Sequence, residues 1–196
     1  MIIRAIISDF DGTLVDTFEA NFQAYKKAFN LCGLHITRED YLSCFGLRFD
    51  GFMERMKVQD DSIRNIIRKE KARLYPECFD LLIPNRSLID FVKKVKLSGV
   101  KTAIASTAQM ENLMNVLNYL SLADMFDEII AGKDVQKGKP NPEIYLKAMD
   151  LLGVLPEETL IFEDTEVGLQ AAEASGANYV KVTGAFFDDE NSHKYL

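Results

Sequence analysis

The apolar run Ile2, Ile3, Ala5, Ile6 and Ile7, interrupted only by Arg4, stops abruptly at Ser8-Asp9-Phe10-Asp11-Gly12-Thr13. A run with no polar alternation is the pattern of a strand covered on both faces, and such strands belong in parallel sheets with helices packed on either side. Side chains two apart on a strand share a face. Asp9 and Asp11 therefore leave the strand end on the same side, and Gly12 permits a sharp exit. Two carboxylates so close repel each other, and a bound cation is the simplest relief. Asp, Gly and Thr also serve as ordinary helix caps where a strand hands over to a helix, so the pair needs partners elsewhere in the chain to signify chemistry.

The spacing beyond it changes to that of helices. Phe18, Phe22, Tyr25 and Phe29 recur every three to four residues and Gly33 follows as a stop; Thr37 caps a short helix through Tyr41. Phe49, Phe52, Met53 and Met56 mark a third helix, and Ile63, Ile66, Ile67 and Leu74 a fourth, ended by Pro76. Four helices with no strand between them read as a small bundle, and most of their aromatics and methionines as its packing.

After Pro84 strands and helices alternate. Asn85 caps a helix closed by Gly99, and residues 100–105 form a strand ending at Ser106. A helix over 112–120, a short strand over 128–131, a helix opened by Asn141-Pro142, a strand over 159–163, a helix capped by Thr165 and a last strand over 179–182 complete the pattern. The expected fold is α/β: a doubly wound, Rossmann-like parallel sheet formed by residues 1–15 and 84–196, with an all-helical domain of residues 16–83 inserted after the first strand. Asp16-Thr17 and Ile83-Pro84-Asn85 are the expected hinges of a domain that closes over the sheet.

Ligands of open parallel sheets bind beyond the carboxyl ends of the strands. Those ends carry Asp9 and Asp11, Ser106-Thr107, and Glu163-Asp164, while Lys139 precedes a helix in the same half of the chain. Each has an ordinary explanation: Ser106 as a cap, Lys139 as a surface charge, Glu163-Asp164 as a solvated turn. Polar groups at three strand ends and one loop point together to a single site.

DFDGTLVDT from Asp9, AST at 105–107, GKPNPEIY from Gly138 and FEDTEVGLQAAEASG from Phe162 resemble, in order, the four motifs of the haloacid dehalogenase superfamily. The helical insertion resembles that of the small-helical-cap subfamily, which includes sugar-phosphate phosphatases and beta-phosphoglucomutases. The resemblance implies a phosphoryl-transferring enzyme in which Asp9 attacks phosphorus and Asp11 serves as general acid and base. It implies Mg²⁺ held by Asp9, the Asp11 carbonyl and Asp164, with Glu163 as a further contributor. Ser106 and Lys139 bind the phosphoryl oxygens, with backbone amides at Phe10 and Thr107 as further donors. Dehalogenases of the superfamily lack the second aspartate, so Asp11 argues against carbon–halogen chemistry. Phosphonatases use a lysine near the start of the first cap helix, and residues 17–24 contain none.

The expected activity is Mg²⁺-dependent hydrolysis of a small phosphate monoester through an aspartyl phosphate. The nearest alternative is a phosphomutase, and Asn21 weighs against it: the beta-phosphoglucomutases carry a histidine at the matching position, and an amide supplies no cation. A catalytically silent phosphate- or partner-binding protein is a third reading, weakened because every core position is filled. The second-motif residue Ser106 is followed by Thr107 and Ala108, where many relatives have an asparagine, which alters substrate contacts there. Arg48, in the loop after Phe45-Gly46-Leu47, is the cap candidate for a second anionic group.

Composition narrows the partner. With 30 acidic against 23 basic residues the net charge is −7, which disfavours nucleic acid and anionic membranes. The expected partner is a small phosphorylated metabolite, met by local positive charge. Cys32, Cys44 and Cys78 have no metal-binding spacing and read as reduced. The N-terminal apolar run is too short for a signal peptide and no run is long enough to span a bilayer, so the expected location is the cytoplasm.

Overall fold

The computed structural model describes residues 2–184 and 187. The chain divides into two compact units, Met1–Asp16 with Ile83–Leu196, and Thr17–Leu82.

The first unit is built on a five-stranded, all-parallel sheet. Its strands are β1 (Ala5–Ser8), β4 (Lys101–Ala105), β5 (Glu128–Ile130), β6 (Thr159–Glu163) and β7 (Asn178–Lys181), in the order β5-β4-β1-β6-β7. β1 is central and wholly buried. It is shorter than the apolar run, beginning only after Arg4, whose side chain pairs with Glu158 on the surface. Successive strand residues face opposite sides. Ile7 and Ile161 share a cluster with Tyr145, Ala148 and Met149 of the helix α7 (Glu143–Leu152). Phe162 faces the other way and meets Phe91 of α5 (Arg86–Leu97) edge-on at 5.8 Å. Helices thus cover both faces, which is why β1 carries no polar alternation. α6 (Met110–Tyr119) and α8 (Glu166–Ala174) supply the other crossovers.

Register sets the level of the site. Ser8 pairs with Ile104 on one side and Phe162 on the other. Asp9, Ala105 and Glu163 are therefore each one residue beyond that row, with Ser106 and Asp164 one further, so the polar residues of three strands emerge at one edge.

A two-stranded antiparallel ribbon, β2 (Val15–Asp16) and β3 (Ile83–Pro84), pairs Val15 with Pro84 and Asp16 with Ile83. The two neighbouring segments expected as hinges are thus paired as strands at Asp16 and Ile83-Pro84; two residues are too few to show a period. Asn85 secures them. Its Oδ1 accepts from Leu88 N at 3.0 Å as the cap of α5, and its Nδ2 donates to Thr13 O at 3.0 Å, with the residue fully buried. Asn85→Ala removes a cap and leaves a buried carbonyl unpaired, so denaturant unfolding should show a loss of about 2–4 kcal/mol.

The second unit holds α1 (Phe18–Leu31), α2 (Arg38–Leu42), α3 (Phe49–Arg55), α4 (Asp61–Leu74) and a 3₁₀ stretch, Tyr75–Leu81. Thr37 caps α2 in a reciprocal capping box with Asp40, as its spacing predicts. Its centre is aromatic. Tyr41 lies 5.2 Å from Phe18, 5.7 Å from Tyr25 and 5.8 Å from Phe52, ring centre to ring centre, each such pair adding about 0.5–1.5 kcal/mol beyond area burial. The three cysteines are free thiols, two of them buried. Among the described residues no helix is long and apolar enough to cross a membrane.

Candidate active site

Asp9 follows directly on β1, where its amide donates to Phe162 O at 2.9 Å. Asp9 is 6% exposed, and its Oδ1 accepts from Lys139 Nζ at 2.5 Å. Lys139 arrives from the loop before α7. Glu143, in the first turn of that helix, accepts from the amides of Gln136 at 2.7 Å and Lys137 at 2.9 Å, so the helix itself fixes the loop. The sequence assigns Asn141 as the cap; its Oδ1 accepts from Glu143 N at 3.1 Å, with Pro142 at the boundary position.

Glu163, at the end of β6, is fully buried and saturated with donors. Oε2 takes Lys139 Nζ at 2.6 Å and Tyr145 OH at 2.5 Å, and Oε1 takes Thr165 N at 3.1 Å and Thr165 Oγ1 at 2.8 Å. The first turn of α8 lies directly on this carboxylate: a Cβ on Gly168 would collide with it. Asp164, one residue on, accepts from Thr13 Oγ1 at 2.8 Å. Gly12 turns the chain with φ +89°, and any side chain there would run into Asp164. The DGT sequence therefore does two jobs, bending the backbone away from β1 and holding the carboxylate of a distant strand.

Ser106 is buried at the end of β4. Its Oγ accepts from Ala108 N at 3.0 Å and lies 3.5 Å from Asp11 Oδ2, while Thr107 follows half-buried. Lys139 joins Asp9 to Glu163, Ser106 meets Asp11, and Thr13 holds Asp164, three sets of contacts at the same end of the sheet. Asn21, buried in α1, and Arg48, half-buried at the start of α3, belong to the second unit.

The electrostatics follow from burial. Burial and the neighbouring Glu163 push the Asp9 carboxyl well above its ordinary range, against the pull of Lys139. Burial and Glu163 push Asp164 up to about 7. Burial also raises Glu163, but the charge of Lys139 and the bonds from Lys139, Tyr145 and Thr165 outweigh it and leave that group below its usual value. Burial alone would lower Lys139; Asp9, Tyr145 and Glu163 outweigh it and hold the ammonium well above the usual lysine range. Among the described residues Lys139 pairs with Asp9 and Glu163, and the carboxyls that stay raised are those of Asp9 and Asp164.

Ligand atoms of Asp9, Glu163 and Asp164 lie within 4.8 Å of one another. An all-oxygen donor set with excess negative charge fits a hard divalent cation. The four donors already on Glu163 direct the fit to Asp9 and Asp164, because a carboxylate has about four lone-pair sites.

A parallel α/β sheet that gathers acidic and cationic side chains beyond the carboxyl ends of its strands has the ligand site of an open, doubly wound enzyme fold. The chain belongs to the haloacid dehalogenase-like hydrolase family, whose model matches residues 6–182. It is 31% identical over 180 residues to the "Phosphorylated carbohydrates phosphatase" of Thermotoga maritima, covering 89% of this chain and 82% of that one. It is 32% identical over 197 residues to "Protein CbbY" of Rhodobacter capsulatus, covering 92% and 85%. Among solved structures, CbbY from Rhodobacter sphaeroides in complex with phosphate superposes with a TM-score of 0.83 at 26% identity, covering 96% of this chain and 90% of that one.

Sequence reasoning missed Tyr145 and Thr13 as parts of the site. Tyr145 sits at a helix-core position among Ile144 and Ala148, and nothing local marks its hydroxyl.

Proposed function

We propose that this chain is a Mg²⁺-dependent phosphatase that hydrolyses a small phosphate monoester through an aspartyl phosphate on Asp9. The observation that carries the reading is the Asp9 carboxylate, fixed at the central strand end by Lys139, with Asp11 two residues on and its Oδ2 3.5 Å from Ser106 Oγ. The phosphatase name of one relative and the phosphate complex of another support the substrate class.

Asp9, Asp164 and the backbone carbonyl of Asp11 would hold Mg²⁺, which supplies positive charge that lets an anionic nucleophile meet an anionic phosphoryl group. Asp9 attacks phosphorus, and the bond to the leaving oxygen breaks in line as the new P–O bond forms. Asp11 gives its proton to that oxygen, then takes one from the water that attacks the aspartyl phosphate, releasing phosphate and restoring Asp9. Ser106 and Lys139 hold the non-bridging oxygens while charge redistributes. Glu163 keeps Lys139 in place. The helical unit Thr17–Leu82, one residue shorter at each end than the sequence suggests, acts as a cap domain whose Asn21 and Arg48 recognise the rest of the substrate. Asn21 supplies no cation to shield the phosphoenzyme, so water is the acceptor.

Release of phosphate from a panel of phosphate esters, with and without Mg²⁺, tests this. Turnover that requires Mg²⁺ is the expected result. Isomerisation of a sugar monophosphate that outruns phosphate release would instead make the protein a phosphomutase.

A pH dependence follows for the cation-free protein. Asp164 and Asp9 have folded-state pKa values above the unfolded value of 3.8. As pH rises from about 4 to about 7 the unfolded chain loses these protons first, so ionisation favours unfolding and stability falls across that window. Asp40 and Asp127 are shifted downward, so their contributions change only below it. In the presence of chelator the melting temperature should therefore fall over that range, and Mg²⁺ should raise it more at pH 8 than at pH 5. Equal stabilisation at both values would place the cation elsewhere.

A further inference from the structure

The four donors around Glu163 are unequal in what they need. Thr165 belongs to the cap of α8, and Lys139 needs Glu163 as a counter-charge, but Tyr145 is fully buried in an otherwise apolar cluster with Ile7, Ala103, Ile144, Ala148 and Met149. A phenyl ring would fill that place equally well. Its hydroxyl points out of the cluster and donates to Glu163 Oε2 at 2.5 Å, the oxygen that also receives Lys139 Nζ at 2.6 Å. The ring stands beside the same ammonium, 5.0 Å from Nζ to the ring centre. Tyr145 thus touches both members of the pair that reaches Asp9, six residues along the chain from Lys139 and at the start of the helix whose Glu143 fixes the lysine loop.

We infer that Tyr145 is a positioning residue for phosphoryl transfer: its hydroxyl locks the Glu163 carboxylate so that Lys139 is shared between Glu163 and Asp9 and not drawn onto Glu163. The inference rests on the phosphatase reading of the site. Asp9 and Glu163 compete for one ammonium. A carboxylate oxygen that accepts from two donors gives up electron density to both, and a neutral O–H donor weakens its hold on the cation without adding charge. Without the hydroxyl, Oε2 has a lone pair to spare, Lys139 moves toward it, and the 2.5 Å contact with Asp9 lengthens. The nucleophile then loses its fixed orientation, and the cation is displaced from the position where the phosphoryl oxygens need it.

The test is Tyr145→Phe, which keeps the ring and removes one oxygen. On the best ester of the panel, kcat should fall about tenfold, with KM and the Mg²⁺ concentration for half-maximal activity within about twofold of wild type. In a Glu163→Gln background the same substitution should cost almost nothing more, because Tyr145 acts through that carboxylate. A readout independent of turnover is the ¹H–¹⁵N spectrum of the lysine ammonium groups. Lys139, assigned by its loss in Lys139→Arg, should give a slowly exchanging signal in wild type that exchanges at least about tenfold faster in Tyr145→Phe, by analogy with the size of the kinetic effect. An unchanged ammonium signal overturns the inference, as does a kcat loss that persists undiminished in the Glu163→Gln background. If the wild type releases no phosphate from any ester, the phosphatase reading fails, and the ammonium signal alone decides the positioning role.

Discussion

Asp9→Asn should lower kcat by at least about 10⁴-fold while leaving a folded protein, the size of loss expected when a covalent nucleophile is removed. The substitution keeps the shape of the side chain, and its amide oxygen still accepts from Lys139, so the network around Glu163 survives. It also replaces a carboxyl that burial pushes well above its ordinary range by a neutral group. The melting temperature of the cation-free variant should therefore match or exceed wild type at pH 8. Acid quenching during turnover of a labelled ester should leave label on the wild-type protein and none on the variant. Asp11→Asn makes the contrast. It keeps the backbone carbonyl and the nucleophile but loses the proton donor, a change of about 10²–10⁴-fold, and with an ester whose leaving group needs no proton the labelled enzyme should accumulate. Near wild-type turnover by Asp9→Asn would end the covalent mechanism.

Features set by a side chain acting on its own neighbouring backbone were legible in the sequence. Thr37, Asn85 and Thr165 each cap the helix that follows them because an oxygen two or three residues from a bare amide has one obvious partner. β1 was legible as a buried strand because both its faces are covered. The meeting of the polar strand ends was legible because three strands of a parallel sheet end on one edge, so a polar residue closing an apolar run has a predictable place. What escaped reading depends on residues far apart in the chain. β2 and β3 are two residues each and exist only because Val15 and Asp16 meet Ile83 and Pro84. The Asp60 cap of α4 was hidden beside a second aspartate, Asp61. The sequence places Glu163 beside Asp164 as a metal contributor, whereas its oxygens are engaged by Lys139, Tyr145 and Thr165. Only the fold brings the first two of these to it.

Lys139→Met separates what this lysine does for the fold from what it does for the reaction. Its side chain is 6% exposed and contacts two carboxylates, Asp9 and Glu163, which are themselves almost wholly buried. Removing one member of such a buried network leaves uncompensated charge and costs about 3–5 kcal/mol. The cost should be largest at high pH, where Asp9, Glu163 and Asp164 are all driven to ionise, and should shrink as pH falls and they take up protons. Mg²⁺ should recover part of it by restoring positive charge at Asp9 and Asp164. Adding Glu163→Gln to Lys139→Met removes the charge that the lysine formerly answered; the Gln oxygen still accepts from Thr165, and its NH2 faces the Tyr145 hydroxyl, which can accept from it. The double variant should therefore be more stable than Lys139→Met alone in denaturant titrations at pH 8. Activity should not follow stability. The transferring phosphoryl group still lacks its cation, a loss of at least about 10²–10³-fold in kcat, and neutralising Glu163 does nothing to replace it. A double variant that regains both stability and turnover would reduce Lys139 to a structural counter-charge and remove it from the catalytic step.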